Sequence, residues 1–272
     1  MRRFLNRAGA LNGLLVVLIS TIVLMGVPLP LLALPEGGVV EVGTANIDYS
    51  ENALTINQQT EKAIINWDRF SISAPNTVTF AQPTVTSATL NRVVGGESST
   101  LLGNLIANGQ VFIINPNGIL VGAGAQINVG GLMLSTLNLT NDDFMNDNFH
   151  LIQDGEDLSF IVNQGEIRVA EGGYVILAAP LVSNEGKIFA PLGRVCLTAT
   201  NEVALDISGN GMIKIVIGPV VEPGTVKMNG DAVTNLILSA VGKGGLVPAG
   251  EVIDNQDGSF SLVASEGLLT NS

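Results

Sequence analysis

Residues 163–179 read NQGEIRVAEGGYVILAA, and residues 184–199 read NEGKIFAPLGRVCLTA. Each stretch has an Asn-x-Gly turn signal, a short strand pattern, a second glycine turn and a strand in which apolar residues alternate. Asn184 follows Asn163 by 21 positions, and the second half of the unit recurs at 258–264. Repeats at a fixed period indicate an architecture in which like residues stack on one another.

The alternation within a repeat predicts two different strand faces. In the second copy Val195, Leu197 and Ala199 share one face, and Arg194, Cys196 and Thr198 share the other. One unit cannot bury its apolar face alone, but stacked units can. No helical pattern separates the strands, so a strand–helix–strand fold is disfavoured, whereas a two-sheet sandwich stays open as the alternative. We therefore predict an all-β chain forming a parallel β-helix from about Gly37 onward.

The same reasoning predicts the interior and the length of this β-helix. If the whole chain after residue 33 coiled at about 21 residues per turn, it would form about 11 turns. The side chains expected inside are those at matching apolar positions of the repeats: Val111, Ile113, Val175, Leu177, Val195 and Leu197.

The first 33 residues have the pattern of a secretory signal peptide. Arg2, Arg3 and Arg7 precede the apolar run Leu14–Met25, and prolines follow before Ala33. A membrane anchor is the alternative, but an apolar core of about 12 residues is short against the ~20 needed to span a bilayer. The sequence predicts a signal peptide over 1–33 and one β-helix domain over 34–272.

Charge and composition exclude several function classes. The chain has 12 basic and 24 acidic residues and a net charge of −12. Without the three arginines of the leader the charge becomes −15, which repels nucleic acid, so no nucleic-acid partner is expected. Cys196 and His150 are each the only residue of their type, which excludes an intramolecular disulfide and histidine-rich sites. We expect no catalytic residue, cofactor or metal site, and hence no enzyme.

Three local patterns resemble ligand sites without completing them. Asp206–Gly211 starts like a calcium loop, but Ile217 stands where the bidentate glutamate belongs. Gly122–Gln126 lacks the third glycine of a nucleotide fingerprint and the lysine of a P-loop. The acidic run 141–148 beside His150 has no metal-ligand spacing, and we expect a solvated excursion from the coil there.

The strand pattern Val111–Ile114 is interrupted by Asn115-Pro116-Asn117-Gly118 before Ile119 resumes it. Asparagine first, proline second and glycine fourth are typical of a type I turn. One interpretation is a structural corner between two strands. The other is a surface that a partner recognises, because turns present polar groups outward. Both interpretations stay open.

Several ordered motifs together resemble the two-partner secretion domain of filamentous haemagglutinin-type exoproteins. The resemblance extends from Leu34 to about Ile217. Its motifs include INWDRF at 65–70, VTFAQP at 78–83, LNRVVG at 90–95, GQVFIINPNGI at 109–119 and NVGGL at 128–132. The earlier Asn-Pro-Asn-Leu tetrapeptide of the filamentous haemagglutinin subgroup is not found, and the residues around 91–96 are closer to the high-molecular-weight adhesin subgroup.

The resemblance implies a right-handed parallel β-helix with an N-terminal cap and short excursions. It also implies export through the general secretion machinery and the periplasm, then recognition by an outer-membrane transporter with POTRA domains and a β-barrel. The chain would fold outside and initiate secretion of a large adhesin or haemagglutinin whose ligand the sequence does not identify. Transporter recognition or structure is implied for Asn115, Pro116, Asn117, Gly118 and Ile119. A structural role in the family signature is implied for Asn66, Trp67, Phe70, Gln82, Pro83, Asn91, Arg92, Asn128, Gly130 and Gly131.

Two other functions stay open. A stand-alone surface adhesin fits the same fold, and so does a β-helical polysaccharide-active enzyme, although Arg168 and Arg194 have no ladder of paired aspartates beside them. Asn271-Ser272 reads as the start of a further repeat, from which we expect the secretion module of a longer exoprotein.

Overall fold

The computed structural model describes residues 33–155, 159–207, 214–217, 225–228, 249–254, 260–264 and 269–270. The predicted signal peptide and most of the calcium-like loop therefore lie outside the described residues. Almost all the regular structure described is β. The elements are β1 Val39–Val42, β2 Ala45–Tyr49, β3 Ala53–Gln58, β4 Lys62–Trp67, β5 Thr77–Ala81, β6 Ala88–Val93, β7 Ser99–Leu101, β8 Asn104–Ala107, β9 Gln110–Ile114, β10 Ile119–Val121, β11 Gln126–Val129, β12 Gly131–Ser135, helix α1 Asn141–Met145, β13 Phe149–Ile152, β14 Phe160–Asn163, β15 Glu166–Val169, β16 Tyr174–Ala179, β17 Leu181–Asn184, β18 Lys187–Phe189, β19 Arg194–Ala199, β20 Glu202–Asp206, β21 Lys214–Ile217, β22 Thr225–Met228, β23 Ala249–Asp254, β24 Phe260–Ala264 and β25 Leu269–Thr270.

The strands form three long sheets that share one coil. Sheet I has the order β1-β4-β6-β9-β12-β16-β19-β24-β23, sheet II the order β2-β3-β5-β8-β11-β15-β18-β25, and sheet III the order β22-β17-β14-β10-β7. The chain visits the sheets in turn and makes six successive coils: β3–β4, β5–β6, β7–β9, β10–β12, β14–β16 and β17–β19. Neighbouring coils pair in parallel in sheets I and II throughout, and in sheet III from the third coil onward. The parallel β-helix predicted from the repeat is confirmed.

The register shows how regular the repeat is. Val111 pairs with Leu132, 21 residues later, and Val175 pairs with Val195, 20 residues later. Leu132 pairs with Val175 across 43 residues, because the chain leaves the coil after β12 and returns at β14. The period is therefore close to the predicted 21, apart from one excursion of about a coil's length.

The coil interior is packed with aliphatic side chains. Val111, Ile113, Val175, Leu177, Val195 and Leu197 are all buried members of one central cluster, as predicted. Thirty-two buried residues of this cluster extend from Leu54 to Leu197, so one continuous core runs through the six coils.

The first coil is covered by two antiparallel strands. β1 pairs with β4, and β2 pairs with β3. Gly38 lies directly over the indole of Trp67, since a Cβ on this glycine would stand 2.5 Å from the ring. These strands form the predicted N-terminal cap and close the end of the sheets.

The excursion after β12 folds back over the outer face of sheet I. We call residues 136–155 the strap; it contains α1 and β13. Phe144, Phe149 and Leu151 of the strap are buried in a second apolar cluster with outward-facing residues of sheet I such as Phe112. The expected excursion is present, and five of the eight residues of the acidic run 141–148 are exposed, but the buried Phe144 anchors the run to sheet I.

The third copy of the repeat does not add a coil. β24 pairs antiparallel with β19, and β25 pairs antiparallel with β18. Only β22 continues the parallel pattern, beside β17. The parallel coil of the described residues is accordingly shorter than the 11 turns that the whole chain would allow. No helix in the described part of the chain is long and apolar enough to cross a membrane.

Candidate functional site: the Asn-Pro-Asn-Gly turn

The Asn115–Gly118 motif forms the corner at which the chain passes from sheet I to sheet III. The amide of Gly118 donates to the carbonyl of Asn115 at 3.1 Å, which closes the β-turn expected from the sequence. Gly118 has a φ of +108°, in the region that favours glycine, and a Cβ there would meet Phe160 of the next coil at 3.4 Å. Ile119 follows as a buried core residue of β10.

Asn115 faces inward and is buried. Its amide Nδ2 donates to Ser99 Oγ and to the carbonyl of Glu97, both at 2.9 Å, in the corner of the preceding coil. Its Oδ1 accepts from the backbone N–H of Asn117 at 2.9 Å, and its own backbone N–H donates to Ser135 in the following coil. The Asn115 side chain thus fixes the turn and joins it to the preceding corner, and the Asn115 backbone joins it to the following one.

Pro116 and Asn117 are the exposed half of the motif. The Asn117 side chain donates to the carbonyl of Gly95 at 2.9 Å, which holds it on the surface of the preceding corner. The motif therefore has a buried part and an exposed part. Asn115 and Ile119 are buried, and Pro116 and Asn117 face outward.

Two adjoining clefts open on either side of Pro116. The first, about 540 Å³, has Arg92, Val94, Ile114 and Asn138 among its lining residues, and the second, about 480 Å³, has Ser98 and Ser159. Pro116, Thr136 and Asp154 line both. The strap forms the far wall, so the exposed half of the motif lies in one continuous groove between two coil corners and the strap.

Thr136 gives this groove a free hydrogen-bonding group. The residue is buried, its backbone N–H donates to Ala178, and its Oγ1 has no hydrogen-bond partner. A buried hydroxyl without a partner is costly unless something else supplies the bond. No local sequence pattern distinguished Thr136.

Trp67, Phe70 and Asn91 of the family signature form one cluster inside the first coils. The Trp67 Nε1–H donates to Asn91 Oδ1 at 3.0 Å, and the Asn91 amide donates to the carbonyl of Phe112 at 3.1 Å. The Phe70 ring meets Trp67 edge-on at 5.5 Å. These buried polar groups satisfy one another and fix the register of three coils.

Gln82 fastens a second corner. Its Nε2 contacts the carbonyls of Ser87 and Gln110 at 3.1 Å, and its Oε1 accepts from the amide of Gly109 at 3.0 Å. Pro83 follows on the surface. The glutamine replaces backbone hydrogen bonds that a bend in the strand leaves open.

Arg92 and Asn66 lie on the outer face of sheet I. The Arg92 guanidinium donates to Asn141 Oδ1 at 2.8 Å and to the carbonyl of Leu139, both in the strap, and at 3.4 Å to Asn66. Partial burial lowers the pKa of Arg92 from its ordinary value. Arg92 thus connects the second coil to the strap, a contact that the sequence did not predict.

Gly130 and Gly131 allow close stacking, and Asn128 does not take part in packing. A Cβ on Gly130 would stand 2.7 Å from the carbonyl of Gly109, and one on Gly131 would stand 3.0 Å from the Tyr174 ring. Asn128 is exposed on β11. Among the signature residues, Pro83 and Asn128 are the exposed members outside the turn.

The described residues offer no metal site, since no group of three His, Cys, Asp or Glu side chains in them could hold an ion. Arg168, one of the two arginines considered above for a polysaccharide-active enzyme, forms an ion pair with Glu166 at 2.6 Å within its own strand. Burial raises the pKa of the Cys196 thiol to about 12, which makes the thiolate scarce at neutral pH.

Comparisons with known proteins place this parallel β-helix in a class of secretion domains. The family model of the TPS secretion domain matches residues 33–268. The chain therefore belongs to the TPS secretion domain family, the secretion domains of two-partner secretion exoproteins.

Relatives and structural neighbours agree with this assignment. A heme/hemopexin-binding protein of Haemophilus influenzae (strain ATCC 51907 / DSM 11121 / KW20 / Rd) is 32% identical over 235 residues, which cover 83% of this chain and 24% of that protein. A second Haemophilus influenzae protein of the same name is 42% identical over 98 residues, 36% of this chain and 11% of the relative. The chain thus spans about a quarter or less of these relatives.

The crystal structure of the HMW1 secretion domain from Haemophilus influenzae superposes with a TM-score of 0.63 at 37% identity. The match covers 69% of this chain and 49% of that one. This neighbour supports the resemblance to the high-molecular-weight adhesin subgroup.

Proposed function

We propose that the cognate outer-membrane transporter recognises the Asn115–Gly118 turn by direct contact. We also propose that the β-helix that carries the turn initiates folding outside the cell. The observation that carries this proposal is the division within the turn. Asn115 is buried and holds three corners, whereas Pro116 and Asn117 project into a groove. Turn preference accounts for the proline, and Asn117 also holds the preceding corner through the carbonyl of Gly95, but the position of both residues at the groove makes their exposed sides available to a partner.

The groove has the features of a peptide-binding surface. It combines apolar wall residues such as Val94 and Ile114 with Asp154 and with the unpaired hydroxyl of Thr136. Sites of this kind place a few polar groups among apolar ones, so that the polar groups fix orientation. An extended segment of the transporter's periplasmic POTRA domains is the occupant we propose.

Membership of the family supports the partners and the location that we propose. The general secretion machinery brings the chain to the periplasm, the POTRA domains capture it, and the β-barrel passes it to the cell surface. The family's non-enzymatic role makes the chain a secretion module and not an enzyme. Because the matched relative is much longer, we propose that this module serves a large exoprotein of the adhesin class.

Paired variants of the turn test direct recognition. We expect Asn117→Ala to retain the fold, because it loses only the side-chain hydrogen bonds to the carbonyl of Gly95 and to Asn115 Oδ1 near the surface, but to reduce release into the medium. Asn115→Ala removes the two hydrogen bonds that its amide donates and the two that its Oδ1 accepts, at about 1 kcal/mol each, and leaves polar partners unsatisfied, so it should lower both stability and release. Asn128→Ala, an exposed asparagine on another sheet, is the matched control.

The measurements are the amount secreted by cells that carry the transporter, binding of the purified chain to isolated POTRA domains, and the thermal unfolding curve. Loss of POTRA binding by Asn117→Ala with an unchanged unfolding curve supports direct recognition. Full binding and full secretion by this variant would indicate that the turn has only a structural role. Secretion that does not require the transporter would overturn the proposed function as a whole.

A further inference from the structure

The strap contacts coils that are far from its place in the chain. In a solenoid each repeat normally touches only its neighbours, so stability accumulates coil by coil. The strap leaves the coil after β12, in the fourth coil, yet it reaches the first, second and third coils.

Lys62 in the first coil holds the end of helix α1. Its Nζ donates to the carbonyl of Phe144 at 3.1 Å and of Met145 at 2.9 Å, and pairs with Asp147 at 2.7 Å. These contacts join residues more than 80 positions apart. A cation at the carbonyl end of a helix is favourably placed, because the terminal carbonyls lack partners within the helix.

The next two coils hold the strap as well. Arg92 in the second coil binds Leu139 and Asn141. Phe112 in the third coil meets Phe144 edge-on at 5.3 Å and stacks with Phe149 at 5.5 Å. Aromatic contacts of this kind add to the burial that they accompany.

The outer edge of the strap is completed only by residues that follow the sixth coil. β13 of the strap pairs antiparallel with β20, from Phe149–Leu205 to Ile152–Glu202. His150 Nε2 also lies 2.9 Å from Glu202 Oε1. Val203 and Leu205 of β20 join the same apolar cluster as Phe112 and Cys196.

Building on the export proposed above, we propose that the strap is a latch that closes when β20 pairs with β13 and then couples the six coils into one cooperative unit. Before closure, coils can form and open one at a time. After closure, the first coil cannot open without breaking the Lys62 contacts and the apolar cluster under the strap. Closure of the latch therefore opposes reopening of the folded coils from the first coil.

Trp67 provides a probe for this coupling, since it is the single tryptophan of the chain and lies in the first coil. In urea, we expect Trp67 fluorescence and far-UV circular dichroism of the purified chain to give coincident unfolding curves. In Lys62→Met the fluorescence transition should come first. Amide exchange in β4 should then accelerate at least about tenfold relative to β19, as expected for lost hydrogen bonds to a charged group.

Arg168→Met is the matched control, because Arg168 makes an ion pair with Glu166 and stacks on Phe189 at 3.7 Å, within its own and the adjacent coil. It should leave the two curves coincident. Lys62→Arg, which keeps the cation, should restore coincidence. The latch is refuted if the two probes already disagree in the unmodified chain, or if Lys62→Met behaves like Arg168→Met. Failure of Lys62→Met to fold while Lys62→Arg folds supports the latch, because a single cation then decides the folding of the whole coil.

Discussion

Sheets I and II run side by side through the same six coils, but they meet different surroundings on their outer faces. Every residue of β12 and β16 in sheet I is buried. In sheet II, β11 alternates strictly between exposed and buried residues, and β8 and β15 alternate between buried residues and partly or fully exposed ones. The inner faces line one core, so the difference comes from the strap, which covers sheet I and leaves sheet II open.

This difference has a counterpart in the strand sequences. Sheet II strands such as QINV and EIRV alternate polar and apolar residues. Sheet I strands such as QVFII and YVILAA are almost continuously apolar. Strands covered on both faces lose alternation because neither face meets water. The sheet I runs therefore indicate that an additional layer covers them.

The inner face should be the most sensitive part of both sheets. Leu177→Asp places a carboxylate in a closed apolar interior, where no partner can offset its desolvation. We expect a loss of more than about 4 kcal/mol in the free energy of unfolding, and therefore an unfolded chain. Urea titration followed by circular dichroism measures it.

Ile106→Asp is the control on the open side of sheet II, where Ile106 is 43% exposed. We expect a change within about 1 kcal/mol. A similar loss for both variants would mean that the outer face of sheet II is also covered.

The strap should make the outer face of sheet I nearly as sensitive. Phe112→Ala removes a ring packed between Phe144, Phe149 and Tyr174. We expect it to cost about 3–5 kcal/mol, the range of a core phenylalanine. Phe160→Ala, whose side chain is 41% exposed in sheet III, should cost much less. Equal small costs would show that the strap does not seal this face in solution.

The sequence contained enough to predict the coil but not the strap. The repeat at 163–199 gave the period, and alternation placed Val195 and Leu197 inside correctly. It also put Cys196 on the opposite face, which is correct, although that face is buried and not open. The apolar runs of sheet I indicate a covering layer but not which segment supplies it, because the contacts of the strap join Lys62 and Arg92 to residues about 50 to 80 positions away.

The site shows the same limit. The turn at Asn115–Gly118 followed from residue preferences, but its division into a buried and an exposed asparagine did not. Asn115 is buried because Ser99 and Glu97 of the preceding coil meet its amide. Only the stacked coils create that environment.

Cys196 allows a smaller test of the covered face. Its pKa is raised from 9.0 to about 12 by burial, so the folded state holds the proton more tightly than the unfolded state. This contribution to stability is complete below about pH 9 and is lost as the pH rises toward about 12. One pH unit above the unfolded pKa, the stability lost amounts to about 1.4 kcal/mol.

Cys196→Ala removes this titration and serves as the reference for the unmodified chain, because the other groups titrate equally in both chains. The free energy of unfolding should fall more between pH 8 and pH 10 in the unmodified chain than in the variant. Equal falls would mean that the thiol is accessible to water under the strap.

The smallest effect is expected at Asn128, on the open face of sheet II. Its side chain is exposed, and its neighbours across the sheet are Ile106 and Arg168. Asn128→Ala should change the free energy of unfolding by no more than about 0.5 kcal/mol.

Yet Asn128 belongs to the family signature, and packing gives no reason for an asparagine there. If its replacement also leaves secretion unchanged, sheet II is a neutral surface and the groove at Pro116 stands as the recognition surface. A secretion defect with an unchanged unfolding curve would instead extend recognition from the turn to the open face of sheet II. Since Asn117 lies in the turn between sheets I and III and Asn128 lies on sheet II, the double variant Asn117→Ala, Asn128→Ala separates these cases. Additive defects indicate two contact surfaces, and a defect equal to that of Asn117→Ala alone indicates one.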